Sequence, residues 1–279
     1  MKRAKIKERI ATGLTYVILS LGAIVVIYPL VWLFLNSLKA DMHIHIDPWG
    51  IPKEFLFSNY PEAARIAQLG LGLRNSVLMT VMAVAIVITA GLMAAYVFAR
   101  YKSKVYNSFF VLIILGLTVP AHAVLVPLFI ELQRWNLIDN LLGVSLINAG
   151  FALPLVTYIF VNYIKTIPKE LDEAAVMDGC GQVNYFARVI VPLSSSTIVV
   201  VLILQGITIW NDFLFSMVFI TSPGIRTLPL LLTSFQGQFS AQLGLSFAAI
   251  FISTTPMILF YSFFQRYIQE GIAAGAVKG

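Results

Sequence analysis

Six apolar stretches dominate this chain, at approximately residues 13–35, 76–99, 106–128, 141–163, 194–220 and 246–267. Each is long enough to cross about 30 Å of hydrocarbon as a helix. None alternates with the period that a membrane barrel strand needs. Helices, whose backbone groups bond within their own segment, are the remaining way to span a bilayer. Composition agrees. Hydrophobic residues make up 59% of the 279 and charged residues 11%, against roughly 45–50% and about 25% in soluble domains. So little charge excludes a soluble nucleic-acid binder, and so much apolar content excludes a disordered or collagen-like chain. The sequence predicts an all-α membrane protein of six spans.

The net charge of +6 then reads as topology. A basic segment, residues 1–9, precedes the first apolar run, as in a signal peptide. That run continues from Leu14 to Leu35 with no small-residue cleavage site, which predicts a retained first span. With the N-terminus in the cytoplasm, thirteen of the nineteen Lys and Arg residues fall on the cytoplasmic side. The asymmetry predicts that both termini are cytoplasmic. A single cysteine, Cys180, excludes an intramolecular disulfide and a cysteine metal cage.

Two connections between spans are long. Residues 36–75 contain Pro48, Pro52 and Pro61 and read as an irregular external segment. Residues 164–193 are the more informative. Thr166 is placed to cap a helix start, Pro168 suits its first turn, and Glu170, Asp172 and Glu173 complement the positive end of its dipole. That helix is predicted to end near Asp178, where Gly179 and Gly181 permit a break. A second short helix over about 182–191 follows, and Pro192 returns the chain to the membrane. The product is a helix–turn–helix on the cytoplasmic surface, with the small Ala174 and Ala175 at its middle.

Glu173-Ala174-Ala175, Gly179 and Val189-x-Val191-Pro192 match the spacing of the E-A-A-x3-G-x9-I-x-L-P signature, with Val in place of its Ile and Leu. The loop thus resembles that of membrane permease subunits of binding-protein-dependent ABC importers. The likeness covers nearly the whole chain. Tyr28-Pro29-Leu30-Val31-Trp32, Asn36-Ser37-Leu38-Lys39, Asn59-Tyr60 and Asn75-Ser76 resemble the carbohydrate branch, as do residues 94–100, Pro127-Leu128 and Leu137-Ile138-Asp139-Asn140. Trp210-Asn211-Asp212-Phe213 and the tail Gly275-Ala276-Val277-Lys278-Gly279 resemble the maltose-transporter-type subunit.

The resemblance implies a type I ABC importer permease fold. It divides the chain into an N-terminal segment with first span and external loop (1–74), a five-helix core (75–268) and a cytoplasmic tail (269–279). A coupling helix between spans four and five, with Glu173, Ala174, Ala175, Asp178, Gly179 and Pro192, is expected to meet an ATPase, and the tail is expected to reach toward the same partner. The implied partners are a second permease, two ATPase copies and an extracytoplasmic sugar-binding protein. ATP and Mg are expected on the ATPase and no cofactor on this chain. The sequence has no G-x-x-x-x-G-K-[ST] loop, G-x-S-x-G elbow or H-E-x-x-H pair.

Other residues are weaker candidates. Asp212 is the one acidic residue well inside an apolar stretch, and such carboxylates face a cavity, a partner or a pathway. Gln205, Trp210 and Asn211 share its neighbourhood, and the four suit a sugar path and helix packing equally. A proton relay through Asp212 has only His122 to draw on. His43 and His45 would share a face if extended, but two ligands without a third make a poor metal site. Glu131, Arg134 and Asp139 read as a solvated turn. Pro120, Pro127 and Pro154 are expected to kink spans three and four. The rival functional reading is an ion-coupled secondary transporter acting without an ATPase. A membrane-embedded enzyme lacks a convergent catalytic set.

Overall fold

A computed structural model describes the backbone of residues 2–238 and 242–276 and the side chains of 12–233 and 242–266. Among the described residues every regular element is helical. In chain order these are α1 (Lys2–Ser37), α2 (Asp41–Ile46), α3 (Asn59–Ile66), α4 (Leu69–Arg100), α5 (Lys104–Leu115), α6 (Leu125–Arg134) and α7 (Leu141–Ile164). There follow α8 (Glu170–Met177), α9 (Gln182–Tyr185), α10 (Val191–Leu193), α11 (Ser195–Trp210), α12 (Leu214–Phe219), α13 (Leu228–Gln238) and α14 (Leu243–Ala276). Two 3-10 turns, Gly116–Thr118 and Ala121–Val124, lie between α5 and α6, and a π turn, Phe186–Ile190, joins α9 to α10.

Four helices, α1, α4, α7 and α14, are individually long and apolar enough to cross a membrane. The number reaches six when two bent pairs each count as one span; of the kinks expected from the prolines, the one in span three is present and the one in span four is not. Span three bends by 101° between Lys104–Thr118 and Ala121–Arg134. The cause is Pro120: it has no N–H to continue the ladder, and it forces Val119 into extended geometry (φ −77°, ψ 114°). Pro127, three residues into α6, sits where no helical N–H is needed. Pro154 leaves α7 continuous. Span five is preceded by a 71° bend between Gln182–Leu193 and Ser195–Trp210, and its helix stops at Trp210 rather than running to residue 220.

Contacts divide the chain into two compact units, with boundaries at Gly70/Leu71, Leu230/Leu231 and Thr255/Pro256. The core of the larger unit is built on α7, whose Val144, Val156 and Phe160 are fully buried and cluster with Met79, Ala83, Val87 and Ala95 of α4 and with Ile209 and Phe219. Close approach of α4 to α7 needs a small residue: a Cβ on Gly91 would stand 2.7 Å from Val156 Cγ1. Asn140 starts α7, its Oδ1 accepting the Leu142 N–H at 2.8 Å. Polar ties fix the start of α4 in the same unit. Asn75 Nδ2 donates to the carbonyls of Gly224 (3.2 Å) and Arg226 (3.0 Å), and Ser76 Oγ accepts from Leu228 N at 2.8 Å.

In the smaller unit, the connection after α1 is ordered rather than irregular, which corrects the reading of residues 36–75. Buried Lys39 donates to Asn36 Oδ1 (3.1 Å) and to the Asp47 carbonyl (2.9 Å), while Asn36 Nδ2 holds the Pro48 carbonyl (3.0 Å). Asn59 Nδ2 reaches back to the Ser37 and Lys39 carbonyls, and Ser37 Oγ meets the Tyr60 hydroxyl at 2.7 Å. Trp49 lies against the Tyr28 and Trp32 rings of α1. The prolines limit helix length, but side-chain bonds to backbone supply the order that helices otherwise would.

Candidate functional site

The segment 164–193 folds into two helices meeting at a turn, as its glycines predict. Its start differs from the expectation. Thr166 caps nothing; its Oγ1 donates to the Tyr163 carbonyl at 2.8 Å, closing the end of α7. α8 begins later, at Glu170, with no side-chain cap, and Glu170, Asp172 and Glu173 occupy its first turn. It ends in a Schellman arrangement. The Cys180 N–H reaches the Ala175 carbonyl (2.9 Å), and the Gly179 N–H reaches that of Val176 (3.0 Å). Gly179 takes φ +70°, and no atom lies within 4 Å of where its Cβ would be. The backbone angle alone, not space, makes glycine the fitting residue there.

Glu173, Ala174, Asp178 and Gly179 are exposed, and Ala175 is half-buried against the core. Apolar neighbours are exposed with them: Met177 by 86%, Val183 by 81% and Val176 by 72%. α8 is thus an acidic helix carrying uncovered Val and Met side chains at its C-terminal end. Pro192 is exposed within the run Gln182–Leu193. It lies directly after the π turn, whose widened bonding accommodates the missing proline N–H.

Beneath α8 lies a group of residues whose sequence signal is charge alone. Arg100, at the end of α4, has a side chain only 6% exposed, and its Nε stands 3.0 Å from Asp172 Oδ2. Its Nη1 donates to the Ile167 carbonyl at 3.1 Å. The buried Tyr185 of α9 donates its hydroxyl to Asp172 Oδ1, and the Tyr96 ring of α4 packs against Tyr185 and Phe186. Asp172 thus turns from the dipole position its spacing predicts to an interior arginine. The one further hint in the sequence is that Arg100 closes the apolar run of span two.

The second candidate group does not converge. Gln205 and Trp210 are buried, whereas Asn211 is exposed, with its Nδ2 on the Ile207 carbonyl at 2.9 Å. Asp212 is satisfied within the chain. Its Oδ1 accepts the Phe215 N–H (3.1 Å), and its Oδ2 accepts the Ser216 N–H (3.0 Å) and hydroxyl (2.9 Å). It therefore starts α12, and the break after Trp210 follows from this competition with the helical ladder. His43 and His45 are wound into α2 rather than extended, where residues two apart do not face each other. Asp139 is no free turn residue either. It takes φ +57°, and its carboxylate accepts the Thr221 and Ser222 N–H groups (2.9 and 2.8 Å) and the Ser222 hydroxyl. Those bonds, the Ser222 hydroxyl first, hold its carboxyl below the usual range. Gly275 and Ala276 lie on the backbone of α14, whereas Val277, Lys278 and Gly279 fall outside the described residues.

Residues 87–273 match the family described as the binding-protein-dependent transport system inner membrane component. The chain is 30% identical over 280 residues to the multiple sugar-binding transport system permease protein MsmG of Streptococcus mutans, covering 98% of this chain and all of that one. It is 29% identical over 279 residues to the diacetylchitobiose uptake system permease protein NgcG of Streptomyces coelicolor, covering 99% and 92%. Its fold matches, with a TM-score of 0.80 at 22% identity, a chain in the crystal structure of a bacterial ABC transporter that imports the acidic polysaccharide alginate, covering 94% of this chain and 97% of that one. The chain is therefore a member of the binding-protein-dependent transport system inner membrane component family, a multi-pass membrane permease.

Proposed function

We propose that this chain is one of two permease subunits of an ATP-driven carbohydrate importer, and that α8 is the helix through which the ATPase drives it. The observation that carries the coupling role is the surface of α8 itself: exposed Glu173, Asp178, Val176 and Met177, ended by a turn that requires Gly179. An ATPase cleft lined with basic and apolar groups would complement it. The carbohydrate substrate is carried over from relatives named for sugar uptake, at full-length coverage. Family membership favours this reading over an ion-coupled transporter working alone.

In this reading an extracytoplasmic binding protein delivers sugar to a path shared with a second permease. Two ATPase copies bind ATP and Mg and close on nucleotide. Their closure displaces α8, and rigid rotation of the spans exchanges access between the two faces. The excess of basic residues supports a cytoplasmic position for both termini and α8. In this scheme Gln205, Trp210, Asn211 and Asp212 are assigned to the path, at and before the break that Asp212 makes after α11. The tail Gly275–Gly279 extends toward the ATPase.

Gly179→Asp tests the coupling role. An Asp at φ +70° costs backbone strain of about 1 kcal/mol, too little to prevent membrane insertion but enough to distort the turn. Sugar uptake by cells carrying this variant should be lost while the chain still accumulates in the membrane. Normal uptake would sink the assignment.

A further inference from the structure

A buried ion pair is poor evidence for stability, because the desolvation of both charges offsets their attraction; its best-attested use is to fix a register. The Arg100–Asp172 pair is of that kind on its arginine side, the two side chains being 6% and 29% exposed. Arg100 is almost wholly enclosed: its Nε and Nη2 are buried without a hydrogen-bond partner among the described residues, Nε stands in ion-pair distance of Asp172, and Nη1 makes the hydrogen bond to Ile167. Apolar residues would fill the same space without that cost. What the pair supplies instead is direction. Asp172 points inward while its helix neighbours Glu173 and Met177 stay exposed, so the outward face of α8 is set by where Arg100 stands. Chain connectivity already ties α8 to α7 before it and to α9–α11 after it. The side-chain cluster ties it as well to the end of α4.

We infer that Arg100, Asp172 and Tyr185 form a positioning latch that makes α4 move with α8, so that a push on α8 reaches a span remote from it in sequence. The inference rests on the reading of α8 as the coupling helix. Arg100 anchors the latch by its hydrogen bond to the Ile167 carbonyl, in the short link between α7 and α8. Tyr185 closes it from the other side of the turn by donating to the second Asp172 oxygen. Asp172 is thus held from two elements at once, by the charge of Arg100 on α4 and by the Tyr185 hydroxyl of α9, an arrangement that fixes geometry better than a single contact.

The test follows the motion of α4 directly and needs no identified sugar. In a Cys180→Ser background, Leu73→Cys, near the far end of α4 and 37% exposed, provides one thiol for maleimide labelling. The complete transporter, with its ATPase and binding protein, is reconstituted in proteoliposomes and labelled with and without vanadate-trapped ATP and Mg. The labelling rate of the otherwise unaltered chain should change on trapping. In Asp172→Asn and Arg100→Gln that change should shrink by about fivefold or more, while the ATPase stays bound and hydrolyses ATP. The double variant should be no worse than either single one, since the two act as a unit.

A change of full size in Asp172→Asn overturns the latch, as does a chain carrying only the labelling substitutions whose α4 ignores the nucleotide. If Asp172→Asn does not assemble, Tyr185→Phe decides, because it removes one donor and no charge. A reduced response supports the latch, and an undiminished one overturns it. Met177→Asp separates the underlying reading. If the ATPase still copurifies with that variant at full yield, α8 is not its docking helix, whatever the latch variants show.

Discussion

α1 and α7 are both apolar enough to cross a bilayer, yet only 6% of the most apolar part of α1 is buried within the chain, against 61% for α7. The difference does not follow hydrophobicity, because α1 is the more apolar of the two. It follows whether small and polar residues meet a neighbouring helix, since Ser20 and Gly22 of α1 are exposed too. α7 buries Gly143, Ser145, Asn148 and Thr157, whereas α1 holds out Val17, Ile18, Leu21, Ile24, Val25 and Val26. Lipid tails are as apolar as a leucine side chain, so nothing drives a large aliphatic group inward. What places a helix in the interior is close backbone approach and hydrogen bonds between helices. Ser145 shows both: its hydroxyl lies within reach of the Leu141 carbonyl (2.7 Å) and, on α4, the Met79 carbonyl (3.2 Å).

The strongest way to break this comparison is to remove the small residue that α7 depends on. A Cβ on Gly143 would stand 2.1 Å from the Leu137 carbonyl oxygen, a backbone atom that cannot swing aside. Gly143→Val should destabilise the detergent-solubilised chain by more than about 3 kcal/mol, seen as loss of the monodisperse peak on size-exclusion chromatography. Gly150, on the same helix, has open space where its Cβ would stand. Gly150→Ala should be neutral or slightly stabilising, since alanine favours a helix over glycine by about 1 kcal/mol. Equal behaviour of the two variants would refute the packing account.

Much of the fold is legible in the amino-acid sequence. The apolar runs locate α1, α4, α7 and α14, and the glycines of the 164–193 segment locate its turn. The place of the span-three bend is legible from Pro120, but its size is not, because a hydropathy window sums over the 101° turn as if the helix were straight. The polar residues that carry the family likeness are a different case. Asn36, Ser37, Lys39, Asn59, Tyr60, Asn75, Ser76 and Asp139 are the ties that hold loops to helix ends. Their importance shows in the sequence, but their partners do not, since each partner is a backbone carbonyl, N–H or side chain brought near only by the fold. Arg100 and Asp172 are hidden for the same reason: each has a sufficient local explanation, one as a cytoplasmic flank and the other as a helix-dipole charge.

Asp139 sharpens the comparison at the entrance to α7. It precedes the cap Asn140 and fastens that turn to residues 219–222, with its own N–H on the Phe219 carbonyl at 2.9 Å. Asp139→Asn keeps an acceptor and tolerates the positive φ, so it isolates the charge. A loss of about 1 kcal/mol is expected at pH 7 for this exposed site, measured by thermal unfolding. Because the folded carboxyl titrates below its usual range, the stabilisation is fully present above the unfolded value of about 3.9 and is lost as pH falls through the lower folded one. The gap between the two proteins should therefore persist at pH 5 and close under strong acid. A gap independent of pH would mean that the tie works through shape alone.

The smallest effect belongs to the outward face of α1. Val25 and Val26 are about 70% exposed among the described residues. Val25→Ala and Val26→Ala together exchange contacts with detergent or lipid rather than with protein. They also relieve the χ1 restriction that β-branched residues suffer in a helix. The thermal unfolding of the isolated chain should stay within about 0.5 kcal/mol of the unaltered protein, and membrane insertion should be unaffected, because the span remains long and apolar. A loss approaching that of Gly143→Val would mean that α1 is packed along its length as α7 is. Burial in this chain would then track apolar character after all, and the distinction between a helix held by small and polar residues and one left to its surroundings would fail.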